Sequence, residues 1–161
     1  NPVLFFEHKK LYRSVKGQVP TESIRVPLGQ AAIARTGTDA TIVTYGVGLH
    51  WALHEAEAQA AKGRSIEVID LRTLIPLDRE TVLSSVRKTN RVIIMHEAQR
   101  TGGFGAEIAS EISESVFRHL DAPPIRLGGA DMPIAFSKAI EDDIYSVRSR
   151  LSDAIDRVTA W

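Results

Sequence analysis

The apolar positions along this chain switch repeatedly between short strand-like runs and helical spacing. Residues 40–45, 65–71, 92–95 and 125–127 are short, β-branched or apolar runs, and their length predicts buried strands. Between them Leu49, Ala52, Leu53, Ala56 and Ala60 share one helical face, as do Val82, Leu83 and Val86, and then Ile108, Ile112, Val116 and Leu120. Gly63 is placed as the residue after the first helix's cap, Asp78 as the N-cap of the second, and Asp121-Ala122-Pro123-Pro124 as the end of the third. Strand, helix and strand in succession predict right-handed parallel crossovers. Residues 31–35 and 40–45 are separated by only Thr36-Gly37-Thr38-Asp39, which predicts an antiparallel hairpin. Gly128-Gly129 reads as a turn where backbone is exposed or closely approached. Ile144, Val147, Leu151, Ile155 and Val158 predict one closing amphipathic helix over 143–161. The expected fold is an α/β/α sandwich of three layers around a mostly parallel five-stranded sheet with one antiparallel strand.

The first thirty residues do not join this pattern. Residues 3–6 are apolar enough for a short strand, but 11–27 have no period and contain Gly17, Pro20 and Pro27. So long a structureless connection reads as a linker, dividing the chain into 1–30 and a domain over 31–161. The opening Asn1-Pro2-Val3, without Met, reads as that of a processed product or an excised piece.

Composition narrows the function classes. At 161 residues and 43% hydrophobic, the chain has the material for one full core. Lys plus Arg and Asp plus Glu number 20 each, so charge gives no argument for nucleic acid or an anionic membrane. Without cysteine there is no disulfide, thiolate nucleophile or cysteine-ligated metal. No apolar run approaches the roughly 20 residues of a membrane span.

Candidate chemistry gathers where strands end. His96-Glu97 follows the apolar run at 92–95 and precedes Gly102, Gly103 and Gly105, the place where open α/β sheets hold ligands and partners. Two readings are open: an acid–base pair, or a Glu97 that only accepts backbone N–H bonds from the turn at 101–105. Tyr45-Gly46-Val47-Gly48 imitates a dinucleotide turn but has Trp51 where the third glycine belongs. His50 and His54 are spaced to share a helix face as metal ligands, without a second cluster to complete a site. Arg72, beside Asp70, is placed to hold a carboxylate of a partner or of this domain. Gly103 and Phe104 suit a subunit contact or a tight turn. The absence of a Gly-x-Ser-x-Gly elbow leaves a hydrolase triad without an anchor.

Several motifs occur in series. Phe5-Phe6-Glu7-His8-Lys9 with Leu11-Tyr12-Arg13, then Val26-Pro27-Leu28-Gly29-Gln30-Ala31, Gly37-Thr38-Asp39-Ala40-Thr41, Glu67-Val68-Ile69-Asp70-Leu71-Arg72-Thr73 with Pro76-Leu77-Asp78, and His96-Glu97-Ala98 with Thr101 to Ile108 appear in this order. Together they resemble the carboxyl-terminal half of the β subunit of thiamine-dependent 2-oxo acid dehydrogenases, most like the branched-chain (2-oxoisovalerate) enzyme. Pyruvate, acetoin and other transketolase-like enzymes share much of the pattern.

The resemblance implies a transketolase carboxyl-terminal fold, with residues 1–30 carrying the last strand of a preceding domain plus a linker. It implies an α2β2 heterotetramer that decarboxylates a 2-oxo acid and passes the acyl group to lipoyllysine. Its partners would be an α subunit, a second β subunit and the acyltransferase core, in a bacterial cytoplasm or a mitochondrial matrix. Thiamine diphosphate and Mg²⁺ would sit with the α subunit and the preceding domain, along with the catalytic histidine. No residue here inherits a catalytic role by resemblance; His96 and Glu97 are candidates from the residues alone. The expected contact surface is Tyr12, Arg13, Arg72, Glu97, Gly103 and Phe104. The rival reading is a self-sufficient small-ligand or nucleotide-binding domain using the strand-end crevice.

Overall fold

The computed structural model describes residues 2–4 and 6–161. Five strands, β1 (Ala32–Arg35), β2 (Ala40–Thr44), β3 (Ile66–Asp70), β4 (Val92–Gln99) and β5 (Ile125–Gly129), form one sheet in the order β1-β3-β2-β4-β5. β1 runs antiparallel to β3, and every other pairing is parallel. A four-residue helix α1 (Leu11–Ser14) precedes the sheet. The others are α2 (Val47–Ala60), α3 (Arg79–Thr89), α4 (Gly105–Val116), α5 (Lys138–Ile144) and α6 (Leu151–Thr159).

Helices cover both faces, which is why the central strands read as nearly unbroken apolar runs. On one face Ala52 and Ala56 of α2 and Leu151, Ile155 and Val158 of α6 pack with Ile42, Val68, Ile93 and Met95. On the other, Val82 and Val86 of α3 and Ile108, Ile112 and Val116 of α4 pack with Val43, Ile69, Val92 and Ile94.

The expected hairpin does not form, because β3 lies between β1 and β2. Four extended residues can span two strand spacings of about 4.8 Å each, so a short link does not guarantee neighbouring strands. The link arches over the start of β3: the Thr38 and Asp39 N–H groups donate to the Ser65 carbonyl at 2.9 and 2.8 Å. Asp39 Oδ2 accepts from the Ser65 N–H at 2.7 Å. Gly37 lies so close that a Cβ there would stand 2.2 Å from the Glu67 nitrogen, so only glycine fits. The Gly37 N–H in turn donates to the fully buried Glu67 carboxylate at 3.2 Å.

Other boundaries move as well. The closing helix is two helices, since the Ile144 carbonyl that would continue the ladder instead accepts from the Ala130 N–H at 3.0 Å. α4 passes into a 3-10 turn over Phe117–His119, leaving Leu120 outside the helix. Ala61 is the cap of α2, so Gly63, with φ of 81°, stands one residue later than expected. Gly128 and Gly129 are buried inside β5 rather than in a turn, but the expected close approach of backbone is present, since a Cβ on Gly128 would stand 2.8 Å from Arg100 Cα. Val3, Leu4 and Phe6 are more than 80% exposed and in no strand, at 85, 81 and 87%; Phe5 of that run lies outside the described residues.

Asp78 caps α3 as expected, and it also anchors the start of the sheet. Its Oδ1 accepts from the Thr81 N–H at 3.1 Å, while Oδ2 accepts from the Ala31 N–H and the Thr81 hydroxyl, both at 2.8 Å. Burial opposes ionisation of Asp78, but these bonds outweigh it and lower the pKa. Asp78→Ala should cost about 1–2 kcal/mol in urea unfolding. The wild-type advantage should be full above the ordinary 3.8 and disappear as pH falls through the lower folded value, so a difference that persists in acid would refute the assignment.

The buried Glu67 carboxylate also accepts from the Ser85 hydroxyl and the Lys88 ammonium. Lys88→Ala should cost roughly 1–3 kcal/mol by denaturant midpoint, because the carboxylate loses its cation. A change within about 0.5 kcal/mol, the range of an ordinary surface substitution, would show the pair to be incidental.

Candidate functional site

β2 has β3 on one side and β4 on the other, so the crossover from β2 to β3 and the next one, from β3 to β4, run in opposite directions along the sheet. Crevices at such switch points, beyond the carboxyl ends of the strands, are the usual working surface of an open α/β sheet. Here the loop after β3 and the turn before α4 border an open cleft of about 630 Å³, lined by Leu74, Ile75, Leu77, Gly103, Phe104 and Ala106 among others. Ile75 is 85% exposed, and Arg79 pairs with Glu111 at the rim. An apolar floor with a charged rim is the composition of a contact surface.

The glycines beside this cleft are explained by His96. A Cβ on Gly103 would lie 2.5 Å from His96 Cε1, and one on Gly105 would lie 2.6 Å from Nε2, so the turn closes directly over the imidazole. His96 is 1% exposed, and its Nδ1 donates to the Ala98 carbonyl at 3.0 Å. Burial pushes its pKa below the ordinary 6.5, against the pull of the Ala98 carbonyl and with help from the Arg126 charge. The imidazole is therefore neutral at pH 7 and acts as a polar wedge under the turn.

Glu97 has the opposite surroundings. Successive side chains on a strand point to opposite faces, so His96 follows Ile94 into one layer and Glu97 follows Met95 toward the other. Glu97 Oε2 is 2.8 Å from His8 Nε2, and neither possibility read from the sequence describes it. It is not paired with His96, and it accepts nothing from the turn at 101–105. Asp131 holds that turn instead, accepting from the Thr101 N–H at 3.0 Å and the Thr101 hydroxyl at 2.6 Å. No local sequence pattern marks Asp131 for this role, which depends on a contact across 30 residues.

The six expected contact residues thus occupy different places. Gly103 and Phe104 line the apolar cleft. Glu97 and His8 line a second cleft of about 930 Å³, between the amino-terminal segment, α2 and α5. Arg72, at φ of 57°, bonds Asp70 Oδ1 through its N–H at 3.3 Å and brings Nε to 3.8 Å from Oδ2, so its carboxylate partner lies in this domain. Burial raises the Asp70 pKa, partly offset by the Arg72 N–H and charge. Tyr12 and Arg13 are exposed on α1 and line neither cleft. The residues missed were apolar and exposed: Ile75, Met132, Ile134 and Phe136. Their signal was apolar side chains in proline-containing stretches without a period.

The other motifs have packing explanations. A Cβ on Gly48 would meet Thr44 Oγ1 at 2.2 Å, so Gly48 serves close helix–strand packing. Trp51 packs on the core where a dinucleotide turn would need a small residue. Among the described residues no group of three or more His, Asp or Glu side chains can hold a metal ion, His50 and His54 included.

Comparison with known proteins agrees with this architecture. The profile of the transketolase C-terminal domain matches residues 29–147. The chain belongs to that family. This transketolase C-terminal domain is 44% identical over 133 residues to the 2-oxoisovalerate dehydrogenase subunit beta of Bacillus subtilis, covering 83% of the chain and 41% of the relative. It is 43% identical over 139 residues to the pyruvate dehydrogenase E1 component subunit beta of the same organism, covering 86 and 43%. A mitochondrial 2-oxoisovalerate dehydrogenase subunit beta 2 from Arabidopsis thaliana is 44% identical over 155 residues, covering 96 and 43%. The chain thus spans about two fifths of the length of these relatives. A solved split-gene transketolase, described as an inactive β4 tetramer, superposes with a TM-score of 0.74 at 27% identity, covering 89% of the chain and 46% of its own.

His96 supplies the test of this geometry. Its NMR titration should have a midpoint below 6.5. Because its folded pKa is depressed, its contribution to stability should be complete above 6.5 and be lost as pH falls through the folded value. A midpoint at or above 6.5 would mean the imidazole is not buried neutral beneath Gly103 and Gly105.

Proposed function

We propose that this chain is the carboxyl-terminal assembly domain of the β subunit of the decarboxylating component of a 2-oxo acid dehydrogenase complex. The carrying observation is the open apolar cleft at Ile75 and Phe104, on strand ends of a domain whose relatives are named as β subunits of such enzymes. In this reading the cleft receives an apolar element of another subunit, and residues 1–30 carry the end of a preceding domain and its linker. The exposed Val3, Leu4 and Phe6 support that division, since apolar side chains left in water fit a segment whose partners lie elsewhere.

The parent enzyme decarboxylates a 2-oxo acid on thiamine diphosphate with Mg²⁺ and passes the acyl group to lipoyllysine. This half contributes shape and contact to an α2β2 heterotetramer, and its Tyr12, Arg13, Arg72, Glu97, Gly103 and Phe104 face the neighbouring α and β subunits or the acyltransferase core. A solved relative described as an inactive β4 tetramer, of whose chain this one covers 46%, is compatible with a role in assembly. We assign a branched-chain 2-oxo acid as substrate on the motif series, with pyruvate as the competing choice, since the two named relatives match almost equally at 44 and 43%. The same relatives, one of which is named as mitochondrial, support a home in a bacterial cytoplasm or a mitochondrial matrix. No helix among the described residues is long and apolar enough to cross a membrane.

The test is reconstitution of the full β subunit with its α partner, followed by light scattering. Ile75→Asp with Phe104→Asp should weaken assembly by more than about thirtyfold, the ~2 kcal/mol of a central apolar anchor. Ile75 is 85% exposed, so Ile75→Asp alone should leave the fold intact, whereas Phe104 packs partly on the core; circular dichroism and the Ile75→Asp single variant therefore separate lost assembly from lost folding. An unchanged heterotetramer in the double variant, or in a β subunit lacking residues 31–161, would overturn the reading.

A further inference from the structure

A third cleft, of about 540 Å³, lies between β5 and α6, away from the apolar strand-end surface. Arg100, Arg126, Arg150 and Arg157 line it against one acidic residue, Asp153. Of the eight other arginines of this domain, Arg35, Arg64, Arg72, Arg79, Arg87 and Arg91 are each within 4 Å of a carboxylate, and Arg118 and Arg148 are not. Among the described residues none of the four at this cleft has such a partner. Asp131, near Arg100, is already engaged by Thr101.

Two of these cations are positioned by backbone instead. Arg150 Nη2 donates to the Gly128 carbonyl at 2.6 Å and its Nε to the Ser146 carbonyl at 3.3 Å. Arg126 Nη1 lies 3.5 Å from the Arg100 carbonyl. Neutral carbonyls fix the guanidinium groups without cancelling their charge, so the remaining N–H donors stay available for an anion. Trp161, 73% exposed, adds a flat aromatic surface at the same cleft.

We propose that this cleft binds a small organic polyphosphate of the nucleoside di- or triphosphate class, with the phosphates on the arginines and the planar base on Trp161. The guanidinium fork matches phosphate oxygens in pairs, and a volume of about 540 Å³ falls within the range of small-ligand sites. An acidic peptide pairing along β5 is disfavoured, because Arg150 occupies the Gly128 carbonyl that an added strand would need. The site is independent of the assembly reading, and its failure would leave that reading untouched.

The test is calorimetric titration of the full chain with ATP, inorganic tripolyphosphate and a short polyglutamate. ATP should bind saturably and more tightly than tripolyphosphate. Arg157→Gln, an exposed change on α6, should weaken ATP at least about tenfold, and Arg126→Gln with Arg157→Gln further, while circular dichroism and urea midpoint stay unchanged for Arg157→Gln. Trp161→Ala should remove the preference for ATP over tripolyphosphate. No saturation by ATP up to about 1 mM, or unchanged affinity in Arg157→Gln, would overturn the site. Equal affinity for ATP and tripolyphosphate would overturn the nucleoside assignment, and binding of polyglutamate alone would transfer the cleft to an acidic protein.

Discussion

Glu67 holds together the part of the fold that local pattern does not specify. A carboxylate at 0% exposure in a central strand is costly unless its oxygens are engaged, and each of them is. One accepts from Ser85, the other from Lys88 and from the Gly37 N–H. Those donors come from α3 and from the link between β1 and β2, so one side chain fixes two separate parts of the chain relative to β3. The Ser85 hydroxyl also lies 2.7 Å from Thr41 on β2, and Thr41 lies 2.7 Å from Thr89 at the end of α3. A polar network satisfied at every step favours the arrangement with β3 inserted over one that leaves the carboxylate without donors.

The pleat of β4 decides the chemistry at the other end of the sheet. Two adjacent ionisable residues suggest cooperation, but a strand sends them to opposite layers. His96 is sealed beneath a glycine turn that cannot carry side chains without colliding with the ring. Glu97 reaches His8 on the other side. The domain thereby loses a nearby acid–base pair and gains a rigid strand end next to an apolar cleft. That exchange suits a surface used for binding, because the turn over His96 holds Phe104 in a fixed place.

Much of the architecture was legible beforehand where one physical rule governed. The buried strands followed from their apolar runs, α3 from its cap at Asp78, and most of the apolar faces of α2 and α4 from their period, although Ala60 is exposed with Gln59 buried beside it and Leu120 lies beyond α4. Of the residues expected at a contact surface, Gly103 and Phe104 border the apolar cleft, whereas Tyr12 and Arg13 stand exposed on α1 outside both clefts. Ile75 and the exposed apolar residues from Met132 to Phe136 escaped notice because an unpatterned apolar side chain has no period to announce it.

The sequence by itself determined the five strands of the sheet and helices α2, α3 and α4, since burial on both faces writes a solid apolar run and burial on one face writes a helical period. It also determined, through its motif series, the family to which the chain belongs. Only the tertiary structure decided that β3 separates β1 from β2, that the last helix breaks at Ile144, and that His96 and Glu97 work apart. Each of those depends on a hydrogen bond or close contact between residues far apart in the chain, and such contacts leave no periodic trace along it.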